Sequence, residues 1–316
     1  MYKSVDLFAG IGGIRKGFEL ANSNGTECVF TSEWDKYAQV TYKENNPNEV
    51  INGDITEIHE DDIPSHDILM AGFPCQPFSQ AGLGKGFEDT RGTLFFDIER
   101  IFKRHKPEVI FLENVKRLKT HNDGNTLKVI LNSFKKNGYQ NVQYTTLKAR
   151  DFGVPQNRER IYIVAFKNNN VLFDFPEPLD VTTRVGDVLE KVVDTKYTIS
   201  DRLWAGHQRR KIENKKKGKG FGYGIVNHDS SYTNTISARY YKDGSEVLVE
   251  QEGKNPRKLT PLECSRLQGF PEDFKFPEGV SDAQLYKQFG NSVCVEVVKA
   301  IASNIFKALE EVKKLY

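Results

Sequence analysis

The chain has 316 residues, enough for one large domain and a smaller companion, and 38% of them are apolar, enough to bury a substantial core. With 45 basic against 43 acidic residues the formal charge is +2, so net charge announces no polyanionic partner and any basic surface must be local. There is no run of about 18 apolar residues and the N-terminal stretch Met1–Leu7 carries Asp6, so neither a helical membrane span nor a signal peptide is expected and a cytoplasmic protein is.

Taken in chain order, the first half alternates strand-like and helical runs. Strands are expected at Ser4–Ala9, Cys28–Ser32, Val50–Gly53, Asp67–Gly72, Val109–Glu113, Val142–Leu147 and Arg160–Phe166. Helices are expected at Gly13–Ala21, Lys36–Glu44, Thr93–Arg104 and Thr126–Lys136. Runs such as Val109-Ile110-Phe111-Leu112 are continuously apolar, as strands are when both faces of a sheet are covered. The alternation predicts a doubly wound, mostly parallel α/β sheet. It breaks near Asn168-Asn169-Asn170, where a more polar, Gly-rich region with a lysine run begins; helical character returns at Lys258 and ends in a helix from about Val295 to Val312. The expected organisation is a first domain over 1–175 and a smaller, irregular inserted domain over 176–257. The segment 258–316 would start on the side of the second domain and return through C-terminal helices to the first.

The first expected strand runs into Phe8-Ala9-Gly10-Ile11-Gly12-Gly13. Glycines between a strand and a helix allow a tight turn and close approach of a ligand to backbone. The dinucleotide pattern G-x-G-x-x-G is incomplete, because Arg15 stands at its third glycine. Glu33 ends the second strand, where an acid would accept from a ribose diol, and Asp54 ends the third, where it would accept from an adenine amino group. Each acid alone would serve equally as a helix cap. Three strand ends together predict an adenosine pocket, open at this point to a nicotinamide dinucleotide or to S-adenosylmethionine.

The four cysteines, Cys28, Cys75, Cys264 and Cys294, form no C-x-x-C pair and no Cys/His cluster with zinc spacing, so no metal site is expected and the thiols should be reduced. Position singles out Cys75. It follows the fourth strand in Gly72-Phe73-Pro74-Cys75-Gln76-Pro77-Phe78-Ser79, and ligands of open α/β sheets bind beyond the carboxyl ends of the strands. The Gly-rich, charged stretch Ser79 to Gly92 reads as a loop able to close over substrate. Glu113 ends the next strand, where a partly desolvated carboxyl would hold a proton near neutral pH and pass it to a ring nitrogen. Arg158 and Arg160 alternate just before a strand and so share a face, suited to hold a thiolate and a base carbonyl. A buried cysteine is usually inert, and the acid and the arginines could each be surface groups. Their occurrence at successive strand ends points to one chemistry: thiolate addition to C6 of cytosine makes C5 enamine-like, protonation at N3 favours the attack, and a methyl group then passes to C5. A base inside a duplex must be flipped out for this.

The segments Asp6–Gly13, Glu33-Trp34-Asp35, Gly53-Asp54-Ile55, Pro74-Cys75-Gln76, Gly92-Thr93-Leu94-Phe95, Glu113-Asn114-Val115, Gln156–Arg160, Leu259–Pro271 and Gln288–Val293 occur in one order along the chain. In that order they resemble a bacterial C5-cytosine DNA methyltransferase of restriction–modification type, over nearly the whole length. The resemblance implies the sheet of S-adenosylmethionine-dependent methyltransferases with a smaller target-recognition domain. It implies S-adenosylmethionine as cofactor, leaving as S-adenosylhomocysteine, in contact with Phe8, Gly10, Gly12, Glu33, Trp34, Asp54, Ile55 and Leu94. Asn291, Ser292 and Val293 would close that pocket, and Pro74 would abut cofactor and base. Cys75 would be the nucleophile, Glu113 the partner of N3, and Arg160 would reach the cytosine O2, with Arg158 near the thiolate.

The inserted region would then read the target. Its basic stretch Arg202 to Lys219 runs into Gly220-Phe221-Gly222-Tyr223-Gly224, and glycines and aromatics interleaved with charge suit close contact with phosphates and groove edges. Candidate DNA contacts are Lys217, Lys219, Tyr223, Thr235, Arg239, Tyr240 and Tyr241, with Ser79 and Arg91 from the loop after Cys75; Arg239 would take a guanine through O6 and N7. The region resembles the recognition domain of Dcm-type enzymes, which implies the inner cytosine of a CCWGG-like site, with a CCNGG-like or other GC-rich site left open. Double-stranded DNA and a restriction endonuclease of the same specificity are the expected partners, for a monomer associated with the nucleoid and not with a membrane. The competing readings are a nicotinamide-dependent oxidoreductase, a tRNA cytosine-5 methyltransferase and a non-catalytic DNA-binding relative. The first gives no task to Cys75, Glu113 and the arginines together; the basic insert favours duplex DNA over tRNA; and the intact Cys75, Glu113 and Arg160 argue against the third.

Overall fold

A computed structural model describes residues 1–22, 25–74, 94–220 and 222–314. Contacts divide the chain into two compact units, one of 1–147, 159–177 and 298–316, the other of 148–158 and 178–297.

The first unit is built on a seven-stranded sheet. Its strands are β1 (Tyr2–Leu7), β2 (Thr26–Ser32), β3 (Ile51–Asn52), β4 (Ile68–Gly72), β5 (Val109–Val115), β6 (Asn141–Lys148) and β7 (Glu159–Phe166), in the spatial order β3-β2-β1-β4-β5-β7-β6. β1 pairs in parallel with β2 and β4, β2 with β3, and β4 with β5, whereas β7 runs antiparallel to β5. The doubly wound, mostly parallel sheet expected from the alternation is therefore present. The chain winds outward from β1 through β2 to β3 and then returns to β4 on the other side of β1. Strand order reverses at β1, and such a reversal opens a crevice at the carboxyl ends of the flanking strands.

The helices of this unit are α1 (Gly13–Ala21), α2 (Lys36–Asn45), α3 (Leu94–His105) and α4 (Asn125–Lys136). Burial explains the continuously apolar strands: Val109 to Leu112 are fully buried, as are Ile68 to Ala71. Phe18 on α1 meets Phe111 edge-on at 5.3 Å between ring centres and Phe306 at 5.9 Å. Such rings bury large apolar areas, and truncating one to alanine typically costs about 3–5 kcal/mol. Asp35 starts α2 by accepting from the backbone N–H groups of Tyr37 and Ala38, a cap typically contributing about 1 kcal/mol.

The second unit holds a small sheet of β8 (Ile225–Val226), β9 (Leu248–Val249) and β10 (Arg257–Lys258), with β9 parallel to β8 and antiparallel to β10. Around it lie α5 (Asp201–Lys216), α6 (Pro261–Leu267) and α7 (Asp282–Asn291). Ile236, Tyr240, Val247, Leu248, Leu259, Leu267 and Phe289 form its buried apolar interior. Thr260 and Glu263 form a reciprocal capping box at the start of α6, with Pro261 in its first turn. Glu263 is fully buried and also receives both terminal nitrogens of Arg257 at 2.7 Å. Removing one partner of such a buried pair typically costs about 3–5 kcal/mol.

The segment 258–316 divides between the units. Residues up to Val297 belong to the second, and the long C-terminal helix α8 (Val295–Lys313) continues in the first from Val298. Its apolar positions Val298, Ile301, Ala302 and Ile305 are buried, which is why that part of the helix joins the first unit. Among the described residues no helix is long and apolar enough to cross a membrane.

Candidate active site

Sheet register lines up the strand ends of the first unit. Leu7 pairs with Ser32 and with Ala71, Ser32 with Asn52, and Gly72 with Glu113. The residues that follow emerge at one edge: Phe8 to Gly13, Glu33 and Trp34, Asp54 and Ile55, then Phe73 and Pro74. Because β7 is antiparallel to β5, its beginning lies at this same edge, with Arg160 opposite Val115 and Tyr162 opposite Glu113.

Phe8 and Gly10 have φ of 55° and 56°, and Gly12, with φ 83°, caps α1. For Phe8 this left-handed backbone costs about 1–3 kcal/mol, a kind of strain that clusters where a turn must hold a ligand. Gly10 N–H donates to Glu33 Oε2 and Asp35 N–H to Glu33 Oε1, both at 2.7 Å. Burial raises the Glu33 carboxyl pKa above its ordinary value, while these backbone donors act in the other direction. The Trp34 N–H is a third backbone donor to this carboxylate, which leaves about one of its four acceptor sites for a further donor. A Cβ added at Gly10 or at Gly53 would meet nothing within 4 Å among the described residues, and Trp34 is 68% exposed. Asp54 is exposed, with Oδ1 accepting from the Thr56 N–H and hydroxyl, and caps the helical turn Ile55–Glu57. The Ile55 side chain lies in the core; Phe8 and Leu94 are half-buried and Pro74 is exposed.

Glu113 and Arg160 form a nearly buried pair, Arg160 Nε standing 3.2 Å from Glu113 Oε1. A Cβ on Gly72 would come within 3.6 Å of Glu113 Oε2 and 3.2 Å of Ile14, so glycine preserves the room beside this carboxyl. Asn114 donates from Nδ2 to the Phe73 carbonyl at 2.8 Å and accepts from Val115 N–H at 2.8 Å, tying β5 to the backbone that leads to Pro74 and Cys75. Asn114 drew no role from the sequence; its one signal was its place beside Glu113.

Behind the glycine turn, Asp6 is fully buried on β1. Its Oδ1 has no hydrogen-bond partner among the described residues, and Oδ2 lies 3.5 Å from the Tyr42 hydroxyl. That hydroxyl also accepts from Arg15 at 3.1 Å and meets the Thr31 hydroxyl at 3.0 Å. Arg15, which breaks the dinucleotide pattern, is thus an anchor of this cluster, bonded also to Glu19 and Glu49. Burial pushes the Asp6 carboxyl up to about 7, against the pull of the Arg15 charge.

In the second unit Arg158 is 2% exposed. Its NH1 donates to Ile236 O at 3.2 Å, and its NH2 to Gly290 O at 3.1 Å and to Ser292 O. Asn291 is exposed, Ser292 half-buried and Val293 buried. Lys217, Lys219, Arg239 and Tyr241 are exposed. Tyr223 stands edge-on to Trp204 at 5.0 Å, with Lys211 Nζ 4.2 Å from its ring centre. The Thr235 hydroxyl donates to Asn157 O at 2.7 Å. Tyr240 departs from expectation. It is fully buried, donates to Val247 O at 2.6 Å and accepts from Leu259 N–H at 2.8 Å, so it is a core residue and not a DNA contact. A large ring with a satisfied hydroxyl is stable in such an interior.

Residues 2–307 match the family C-5 cytosine-specific DNA methylase. The chain belongs to this family. The methylase is 64% identical over 312 residues to the type II methyltransferase M.NlaX of Neisseria lactamica, across 99% of this chain and 98% of that one. It is 60% identical to the type II methyltransferase M.SsoII of Shigella sonnei, across 98% and 81%, and 41% identical to a DNA-cytosine methyltransferase of Escherichia coli strain K12, across 95% and 76%. Its fold is similar to that of the S. pombe Dnmt2 methyltransferase crystal structure, with a TM-score of 0.80 at 22% identity, covering 98% of this chain and 99% of that one. The methylase is therefore a DNA cytosine-5-methyltransferase, related to type II restriction–modification enzymes.

The family implies S-adenosylmethionine as methyl donor, and the residues present fit it. The absence of described neighbours at Gly10 and Gly53, the exposed Trp34 ring and the remaining acceptor site on buried Glu33 suit an adenosine base and a ribose diol. Cys75, Ser79 and Arg91 lie outside the described residues. The three described cysteines are free thiols, and burial pushes each pKa up, that of Cys294 to about 11. Such thiols are poor nucleophiles.

Proposed function

We propose that the methylase modifies C5 of a cytosine flipped out of a specific duplex site, through a covalent intermediate on Cys75. The observation that carries this reading is the Glu113–Arg160 pair at the strand edge that also bears the glycine turn and Glu33. The Cys75 thiolate would form a bond to C6, shifting electron density toward C5. Glu113, in its protonated form, would donate that proton to N3 as negative charge develops on the ring, and Arg160 would offer its remaining N–H groups to O2. S-adenosylmethionine, when bound, supplies an electrophilic methyl group to C5. Transfer of the C5 proton to a base such as water, return of the N3 proton to Glu113 and departure of the thiolate from C6 would then restore the C5–C6 double bond.

Phe8, Gly10, Gly12, Glu33, Trp34, Asp54, Ile55, Pro74 and Leu94 would hold the cofactor, with Asn291, Ser292 and Val293. Lys217, Lys219, Tyr223, Thr235, Arg239 and Tyr241, with Ser79 and Arg91, would contact DNA. The target would be the inner cytosine of a CCWGG-like or CCNGG-like site, protected in this way from an endonuclease of the same specificity.

Trapping on a duplex containing 5-fluorocytosine tests the chemistry, because the fluorine blocks the final elimination. A denaturation-resistant adduct is expected with the wild type and none with Cys75→Ser. An adduct with C75S, or methylation of tRNA without duplex DNA, would overturn the proposal. Bisulfite sequencing of DNA from expressing cells identifies the site; protection restricted to A or T at the central position separates the two targets.

A further inference from the structure

The segment Pro155–Arg158 does more than lead into β7. Pro155 O accepts from Thr233 N–H and Asn157 N–H donates to Thr233 O, each at 2.8 Å. Gln156 is fully buried; its Oε1 accepts from Ile236 N–H at 3.0 Å and its Nε2 donates to Leu267 O at 2.6 Å. The Arg158 guanidinium joins the Ile236 carbonyl to those of Gly290 and Ser292. Those two backbones lie against each other, for a Cβ on Gly290 would sit 2.3 Å from the Ser237 carbonyl and 2.4 Å from Ala238 N. The loop Thr233–Ala238, which leads directly into Arg239, thus shares one buried cation with the C-terminal end of α7, which leads into Val293. Lysine cannot replace this cation, since an ammonium lacks the planar fork that reaches three carbonyls at once.

We propose that Arg158 is a positioning residue that couples target recognition to the hold on cofactor. A shift of the 233–238 loop on reading DNA moves the Ile236 carbonyl, and the guanidinium passes that shift to Gly290 and Ser292. This rests on the reading above, in which Arg239 contacts DNA and Asn291–Val293 contact the cofactor. Coupling of this kind is reciprocal, so cofactor must tighten DNA binding by the factor by which DNA tightens cofactor binding.

The test measures affinity for the duplex found by bisulfite sequencing, with and without S-adenosylhomocysteine. The wild type should bind the duplex about tenfold more tightly when S-adenosylhomocysteine is present, within the usual range of such coupling. In R158K that ratio should fall toward one. A purely structural role would lower thermal stability or both affinities and leave the ratio intact. If R158K does not fold, T235V loosens the same loop by removing its bond to Asn157 O, and should lower the ratio instead. A wild-type ratio of one, or the wild-type ratio retained in the folded variant, overturns the proposal. Failure of the wild type to bind S-adenosylhomocysteine at all would overturn the cofactor reading first, and is distinguishable from failure of the coupling.

Discussion

A carboxyl group buried without a full set of partners leaves a mark on the pH dependence of folding, and Asp6 is such a group. Its folded-state pKa is pushed up to about 7 by burial, against 3.8 in an exposed carboxyl. Between these values the folded chain keeps a proton that the unfolded chain has lost. This contribution to stability is therefore complete below about pH 4 and is lost as pH rises toward about 7. Asp6→Asn should remove that part of the slope, which urea unfolding at pH about 5 to about 8 would measure; an unchanged slope would assign the proton elsewhere. Residue identity gave no warning of this, because Asp6 reads as a polar end to an apolar strand. Glu33 was easier to single out, since an acid at a second strand end has a recognised use. Tyr240 and Ile55 stand within motif-like segments, yet both are buried, and a motif names a residue type without its solvent exposure.

Helices and strands were legible where apolar spacing was strong. The seven strands of the large sheet lie within a few residues of their expected spans, and in β4 and β5 the reason is a continuous apolar run of the kind that suits a doubly covered sheet. Helix α5 was not foreseen. His207 is its one buried residue, so it has almost no apolar stripe and looks in sequence like a charged loop. The antiparallel run of β7 was equally hidden, since strand direction leaves no trace in composition. The packing of α1 on α8 makes a sharper prediction. A methyl added to Gly17 would lie 2.5 Å from Val298 Cγ1. Gly17→Ala should destabilise by about 1–3 kcal/mol in spite of alanine's better helix propensity. G17A/V298A should regain part of that loss in urea unfolding, and a double variant no more stable than G17A would refute the clash.

At the scale of the molecule the near-cancellation of charge matters. A net charge of +2 cannot by itself draw the chain to DNA, so affinity must come from local groups, which the proposed function takes to include the exposed Lys217 and Lys219. Each phosphate contact contributes about 0.9 to the slope of log affinity against log salt. The double variant K217Q/K219Q should therefore flatten that slope by about two, measured by fluorescence anisotropy across a salt series. An unchanged slope would remove both lysines from the interface.

The division of the chain also constrains how a specificity could be transplanted. The second unit, to which the proposed function gives target recognition, is not a single stretch of sequence: residues 148–158 belong with 178–297, and the first unit resumes at Glu159. A graft of 178–297 alone would set a foreign loop and a foreign α7 onto the resident Gln156 and Arg158, whose bonds to Ile236, Leu267, Gly290 and Ser292 were formed with native neighbours. A working cassette must carry Lys148–Arg158 with it, in two pieces, spliced on either side of β7.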